Sequence, residues 1–126
     1  MIILDTNVVS EIMRPAPERR VMDWLDLQNM ATVYLTAISE AELRYGIAIM
    51  PDGKRKDFMA AIMAAIILEE FDGRILAFAS EAAKAYATIR SQRRATGRPI
   101  EEFDAQIAAI AAIHGAEIAT RNVRDF

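Results

Sequence analysis

The chain has 126 residues, 53% of them hydrophobic, and a net charge of -3. That length supports one domain with a buried core, and the apolar content excludes a disordered chain. The absence of cysteine excludes disulfides and thiolate metal sites, and a single histidine, His114, leaves little material for a histidine-rich zinc centre or a serine–histidine–aspartate triad. A mildly acidic molecule has no strong field to draw in nucleic acid, so any RNA or DNA contact must come from a local basic patch.

In chain order, the run Met1-Ile2-Ile3-Leu4 reads as a buried strand that ends at Asp5, followed by a short helix over Val8–Met13 that Pro15 and Pro17 stop. Val21, Met22, Trp24 and Leu25 are at helical spacing within residues 18–27. Thr32-Val33-Tyr34-Leu35 is short, β-branched and aromatic, which predicts a second strand. A helix over residues 37–49 follows, with Thr36 as its N-cap. Pro51-Asp52-Gly53 is a turn, and residues 54–71 read as one long helix broken by Asp72-Gly73. Arg74–Phe78 reads as a third strand, Ser80 as the cap of a helix running through Arg94, and Thr96-Gly97-Arg98-Pro99 as a loop. A helix over residues 101–114 ends at Gly115, and Glu117–Thr120 is a last strand. Strands alternating with helices predict a parallel sheet covered by helices, whose right-handed crossovers bring the loop-bearing strand ends to one edge.

No secretory signal is visible, because Asp5 interrupts the N-terminus. The most apolar stretch, residues 58–68, is too short to span a bilayer and is bounded by charges. It reads as a buried or partner-facing helix, and the expected location is the cytoplasm.

A carboxylate at the end of a buried strand is costly unless it is paired, hydrogen-bonded or bound to a metal. The same sheet edge should receive Glu42, one to two turns into the helix after the second strand, and Asp104, in the first turn of the helix after Pro99. Thr120, Arg121, Asn122 and Asp125 follow the last strand. Clustered carboxylates repel, and a divalent cation relieves the repulsion. An oxygen-only donor set suits Mg2+ or Mn2+, which can activate water and neutralise a phosphate. The chemistry implied is metal-assisted phosphodiester hydrolysis.

Each acid also has a plain structural reading. Ser39-Glu40-Ala41-Glu42 matches a capping box, Asp104 can oppose a helix dipole, and Asp5 can cap the helix that follows it. Asp125 reads as a solvated turn residue or a cap. The basic stretch Arg90, Arg93, Arg94 and Arg98, joined by Arg121 and Arg124, is either a solvated face or a phosphate-holding patch beside the acidic edge.

Ile3-Leu4-Asp5-Thr6-Asn7, the segment Thr36–Gly46, and Gly97–Ala111 with its Glu101-Glu102-Phe103-Asp104 resemble the PIN-domain family, and within it the VapC/FitB-type toxins of bacterial toxin–antitoxin pairs. The closing Ala119-Thr120-Arg121-Asn122-Val123-Arg124-Asp125-Phe126 is similar to the family's last motif. The resemblance spans the chain in order. It implies an α/β/α sandwich on a central parallel sheet over residues 1–126, and a Mg2+- or Mn2+-dependent ribonuclease. Asp5 and Asp104 correspond to direct metal ligands, Glu42 to a ligand or water-positioning group, and Thr6, Asn7 and Ser39 to the small polar residues near the metal. The resemblance further implies a homodimer and a small VapB/FitA-type antitoxin as inhibitor and partner, with DNA bound only through that antitoxin. Two departures stand out. Asn122 occupies the place of a fourth acid, and the chain stops at Phe126, where relatives usually continue through a short strand.

Two other classes compete. An aspartyl-phosphate enzyme would use Asp5 as a nucleophile, but expects a second aspartate at the position of Asn7. A metal-free module would only bind a partner, through the apolar helix at residues 58–68 or the one at 8–13.

Overall fold

The structure is a computed structural model, and residues 1–121 are described. Four short strands, β1 (Ile2–Leu4), β2 (Val33–Thr36), β3 (Ile75–Leu76) and β4 (Glu117–Ala119), form one sheet in the order β3-β2-β1-β4. Every pairing is parallel, with Ile3 opposite Tyr34 on one side and Ile118 on the other. Between them lie α1 (Thr6–Ile12), α2 (Arg19–Asp26), α3 (Ala37–Ala48), α4 (Lys54–Ala65), α5 (Ser80–Ala95) and α6 (Glu102–His114).

The strands are mostly apolar, as a sheet covered on both faces requires, with Glu117 exposed at the start of β4. Side chains alternate across the sheet. Leu4, Val33 and Leu35 join Val8, Val9, Leu43, Ile47, Met63 and Phe71 in one core. Ile3 joins Ala82, Ile107 and Ile110 in the other, with Tyr34 packed against it. One layer is therefore built from α1, α3 and α4, and the opposite layer from α5 and α6. This is the expected α/β/α sandwich.

The connections leave β1 in two senses. The chain goes from β1 to its neighbour β2 and on to β3, then crosses back through α5 and α6 to place β4 on the far side of β1. The strand order thus reverses beside β1, between it and β4. In an open parallel sheet that reversal opens a crevice beyond the carboxyl ends of the strands. Asp5 stands at its floor, where its backbone N–H donates to the Ala119 carbonyl at 2.9 Å.

Three local expectations need correction. The long helix over 54–71 changes to a single π turn at Ile66–Glu70 before Phe71. The third strand has only two residues. Arg74 instead serves the turn before it: its guanidinium donates to the carbonyls of Met30, Val33 and Glu70 and lies 4.9 Å above the Phe71 ring. Ser80 opens α5 but does not cap it; the cap position is Ala79, and no side-chain bond is made there. Gly115 ends α6 in the left-handed conformation as expected, with φ 62°. Of the apolar stretch at 58–68, Met63 and Ile67 are buried while Phe58 and Leu68 are exposed. No helix among the described residues is long and apolar enough to cross a membrane.

Candidate active site

The crevice is an open cleft of about 560 Å³. Asp5, Thr6 and Asn7 line it from the β1–α1 junction, Glu42 from α3, and Asp104 from the first turn of α6. Ser10, Glu11 and Arg14, from α1 and the turn after it, complete the wall.

Asp5 is buried, and both of its oxygens are engaged. The Thr6 backbone N–H donates to Oδ1 at 2.8 Å, and the Thr120 hydroxyl donates to Oδ2 at 2.8 Å. The plain reading of Asp5 is therefore correct as far as it goes: it is the N-cap of α1. Capping fixes the carboxylate's orientation without excluding a second task, because each oxygen retains acceptor capacity.

Glu42 is not half of a capping box. Thr36 caps α3, its hydroxyl accepting from the Ser39 N–H at 3.1 Å. Glu42 is held instead by Thr6, whose Oγ1 lies 2.8 Å from Glu42 Oε1 and 2.8 Å from the buried Ser39 Oγ. Burial pushes the Glu42 carboxyl above the ordinary glutamate range. The Thr6 hydrogen bond opposes that rise, while the charges of Asp5 and Glu101 add to it. A carboxyl beside another carboxylate and partly out of water takes up a proton more readily than an exposed one.

Asn7 and Thr120 tie the two strand ends together. Asn7 Nδ2 donates to Thr120 Oγ1 at 3.3 Å, and Asn7 Oδ1 accepts from the Arg121 N–H at 3.2 Å. An aspartyl-phosphate enzyme needs an acid at position 7. Here that position carries an amide that uses both its donor and its acceptor to hold the β4 exit.

The expected basic patch is divided. Arg90 and Arg94 line a separate depression with Tyr86, Pro99 and Ile100, and Arg93 Nε donates to the Arg98 carbonyl at 2.6 Å. Arg121 is committed to carboxylates, bonding Glu11 Oε1 at 2.5 Å and also Glu18. None of these five arginines lines the acidic cleft. Asn122, Arg124 and Asp125 lie outside the described residues.

Glu11 and Arg14 were not singled out by the sequence reading. Glu11 is only 5% exposed, yet fully partnered: the Glu18 N–H donates to Oε2 at 2.9 Å, and Arg14 and Arg121 both bond Oε1. The Glu18 amide, and behind it the two guanidinium groups, outweigh burial and hold its carboxyl below the ordinary range. A signal was available. Asn7, Ser10 and Glu11 follow the i, i+3, i+4 pattern, which puts three polar side chains on one face of α1, and Arg14 continues the spacing into the turn after it.

Asp5, Glu42 and Asp104 with their hydroxyl neighbours offer oxygen donors, without histidine or cysteine, which is the donor chemistry of a hard divalent cation. Among the described residues no three acidic side chains converge into a ready-made cage for an ion. A magnesium site does not need one, since it typically combines one or two carboxylates with water.

Comparison with known proteins agrees with this arrangement. Residues 2–126 match the PIN domain model. The chain is 46% identical over 126 residues to the plasmid stability protein StbB of Pseudomonas syringae pv. tomato, covering 100% of this chain and 91% of that protein. It is 42% identical over the same length to a VapC ribonuclease of Sinorhizobium fredii, covering 90% of that protein. A solved FitAB complex bound to a DNA fragment contains a chain with 45% identity and a TM-score of 0.94, matched over 100% of this chain and 88% of that one. With this fold, and with these carboxylates at its sheet edge, the chain belongs to the PIN-domain family and is closely related to the VapC/FitB-type toxins of toxin–antitoxin systems.

Proposed function

We propose that this protein is a metal-dependent endoribonuclease that acts as the toxin of a toxin–antitoxin pair. The observation that carries the reading is that Asp5, Glu42 and Asp104, from three distant chain segments, line one cleft at the strand-order reversal. The likeness to a VapC ribonuclease supports the substrate class.

Asp5 and Asp104 would hold a Mg2+ or Mn2+ ion, with Glu42 as a further ligand or as the group that positions water. Such an ion supplies charge neutralisation at the phosphate and activation of water. The chain's own residues prepare that chemistry. Thr6 N–H and the Thr120 hydroxyl fix both oxygens of Asp5, so the carboxylate is oriented before any ligand arrives. Thr6 Oγ1 anchors Glu42 Oε1, and the raised proton affinity of that carboxyl suits it to accept a proton from the attacking water. Hydrolysis of the phosphodiester then leaves one new phosphate ester and one free hydroxyl.

The FitAB complex on DNA supports a small antitoxin as partner, with DNA contacted through that partner rather than through this acidic chain. A homodimer belongs to the same reading, and so does a cytoplasmic location. The test is cleavage of single-stranded RNA by the purified chain in Mg2+ or Mn2+, with EDTA and Asp5→Asn as controls. Asparagine is also a good helix N-cap, so the variant should fold normally. Cleavage should fall by at least about a hundredfold, the scale on which losing one electrostatic group at a reaction centre is felt. Cleavage by Asp5→Asn at the wild-type rate would remove Asp5 from the mechanism.

A further inference from the structure

We infer that Arg14 is the residue that grips the RNA phosphate at the mouth of the cleft, and that Arg121 keeps it available by taking over its partner, Glu11. The inference rests on the nuclease reading and adds to it a substrate-binding residue.

The acidic cleft poses an electrostatic problem. Asp5, Glu11, Glu42 and Asp104 line it, and its substrate is a polyanion. Arg14 is the one cationic side chain in the described lining. Its position is set by the backbone, because the Arg14 N–H donates to the Glu11 carbonyl at 3.1 Å and so continues the last turn of α1. Its side chain is 66% exposed. A guanidinium on such a fixed base can present two parallel N–H groups to a phosphate.

The state of Glu11 decides whether Arg14 can leave it. Arg14 Nη1 stands 3.3 Å from Glu11 Oε1, at the long end of hydrogen bonding, whereas Arg121 Nη1 stands 2.5 Å from the same oxygen. The Glu18 N–H occupies the other oxygen at 2.9 Å. When Arg14 turns to a phosphate, the buried carboxylate therefore keeps a cation and an amide donor, and no uncompensated charge remains. Without Arg121, Arg14 would be the only guanidinium bonded to Glu11 among the described residues, and it would be drawn down onto the carboxylate. Arg121 acts on RNA through Arg14: it is a positioning residue.

The experiment measures binding separately from cleavage. The full chain carrying Asp5→Asn is titrated into a fluorescently labelled single-stranded RNA of mixed sequence, and anisotropy is followed over a series of salt concentrations. Adding Arg14→Ala should weaken binding by about five- to tenfold at low salt. It should also reduce the slope of log Kd against log salt by about 0.7, the effect of losing one phosphate contact. Arg14→Lys should restore most of the slope. Arg121→Ala should weaken binding in the same way, and combining it with Arg14→Ala should add little, because both changes remove the same contact. In the cleaving chain, Arg14→Ala should raise KM with kcat within about twofold of wild type. Because Arg14 is exposed, thermal melting should confirm an unchanged fold. A salt slope unaltered by Arg14→Ala overturns the inference, as does a loss confined to kcat. Both results leave the nuclease reading intact. If the Asp5→Asn chain binds no RNA and the wild type cleaves none, the nuclease reading and this inference fail together.

Discussion

Asp5 and Glu42 show how one residue can serve two purposes. Asp5 caps α1 and, in the proposed function, holds a metal; the two tasks use the same fixed orientation. Glu42 carries a cost that is visible without any ligand. A carboxyl whose folded pKa lies above its unfolded value binds its proton more tightly in the native state. The stability this contributes is complete below the unfolded pKa and is lost as pH rises through the folded one. At neutral pH the ionised Glu42 is therefore a burden, set by burial and by its acidic neighbours. Glu42→Gln keeps an acceptor for Thr6 and removes the charge. In EDTA at neutral pH it should melt about 1–2 °C above wild type, since solvent screening leaves only a fraction of a kcal/mol at so open a site. Near pH 4, where an ordinary glutamate is about half protonated, the difference should shrink. An equal difference at both pH values would mean that charge is not its cause.

At the scale of the element, local chemistry sets the boundaries and tertiary contact sets the roles. Thr36 was legible as the cap of α3 and Gly115 as the end of α6, because both depend on short-range rules. At Gly115 the left-handed backbone lets its own N–H reach the Ala112 carbonyl and the Ala116 N–H reach that of Ala111 at 2.9 Å, closing the helix just before β4. Gly115→Ala should destabilise the protein by about 1–2 kcal/mol, the cost of an L side chain in that conformation. Denaturant melts would measure it, and a loss well under half a kcal/mol would show that the turn relaxes. The two-residue β3 and the π turn before it were not legible. Beside them Arg74 donates its side chain to carbonyls that only the folded chain brings within reach. The polar face of α1 was present in the letters, but its meaning depends on Glu18 and Arg121, one of them 110 residues from Glu11.

At the scale of the whole molecule, a net charge of -3 means that RNA is not drawn in from a distance. In the proposed function, RNA binding relies on contacts at the cleft mouth, so its salt dependence should be shallow. Anisotropy titrations should give a slope of log Kd against log salt with a magnitude of about 1.4–2.1, equivalent to two or three phosphates on a single strand. A much steeper slope would bring the separate Arg90 and Arg94 depression, or the residues beyond 121, into the RNA path. The sheet order explains why the cleft lies where it does. The connections run from β1 to opposite sides of the sheet, and the acids occupy the gap where they part.

The sequence by itself determined the layered class of fold and the common sheet edge of Asp5, Glu42 and Asp104. Alternating strands and helices leave few topologies, and right-handed crossovers align the strand ends. The tertiary structure decided which partner each acid meets: Thr120 for Asp5, Thr6 for Glu42, and Arg121 for a buried Glu11 that the sequence did not mark. It also moved the basic residue of the cleft from the arginines of α5 to Arg14. The physical reason is range. Periodicity and capping act within a few residues, whereas the pairing of a buried charge depends on which distant side chains packing delivers to it.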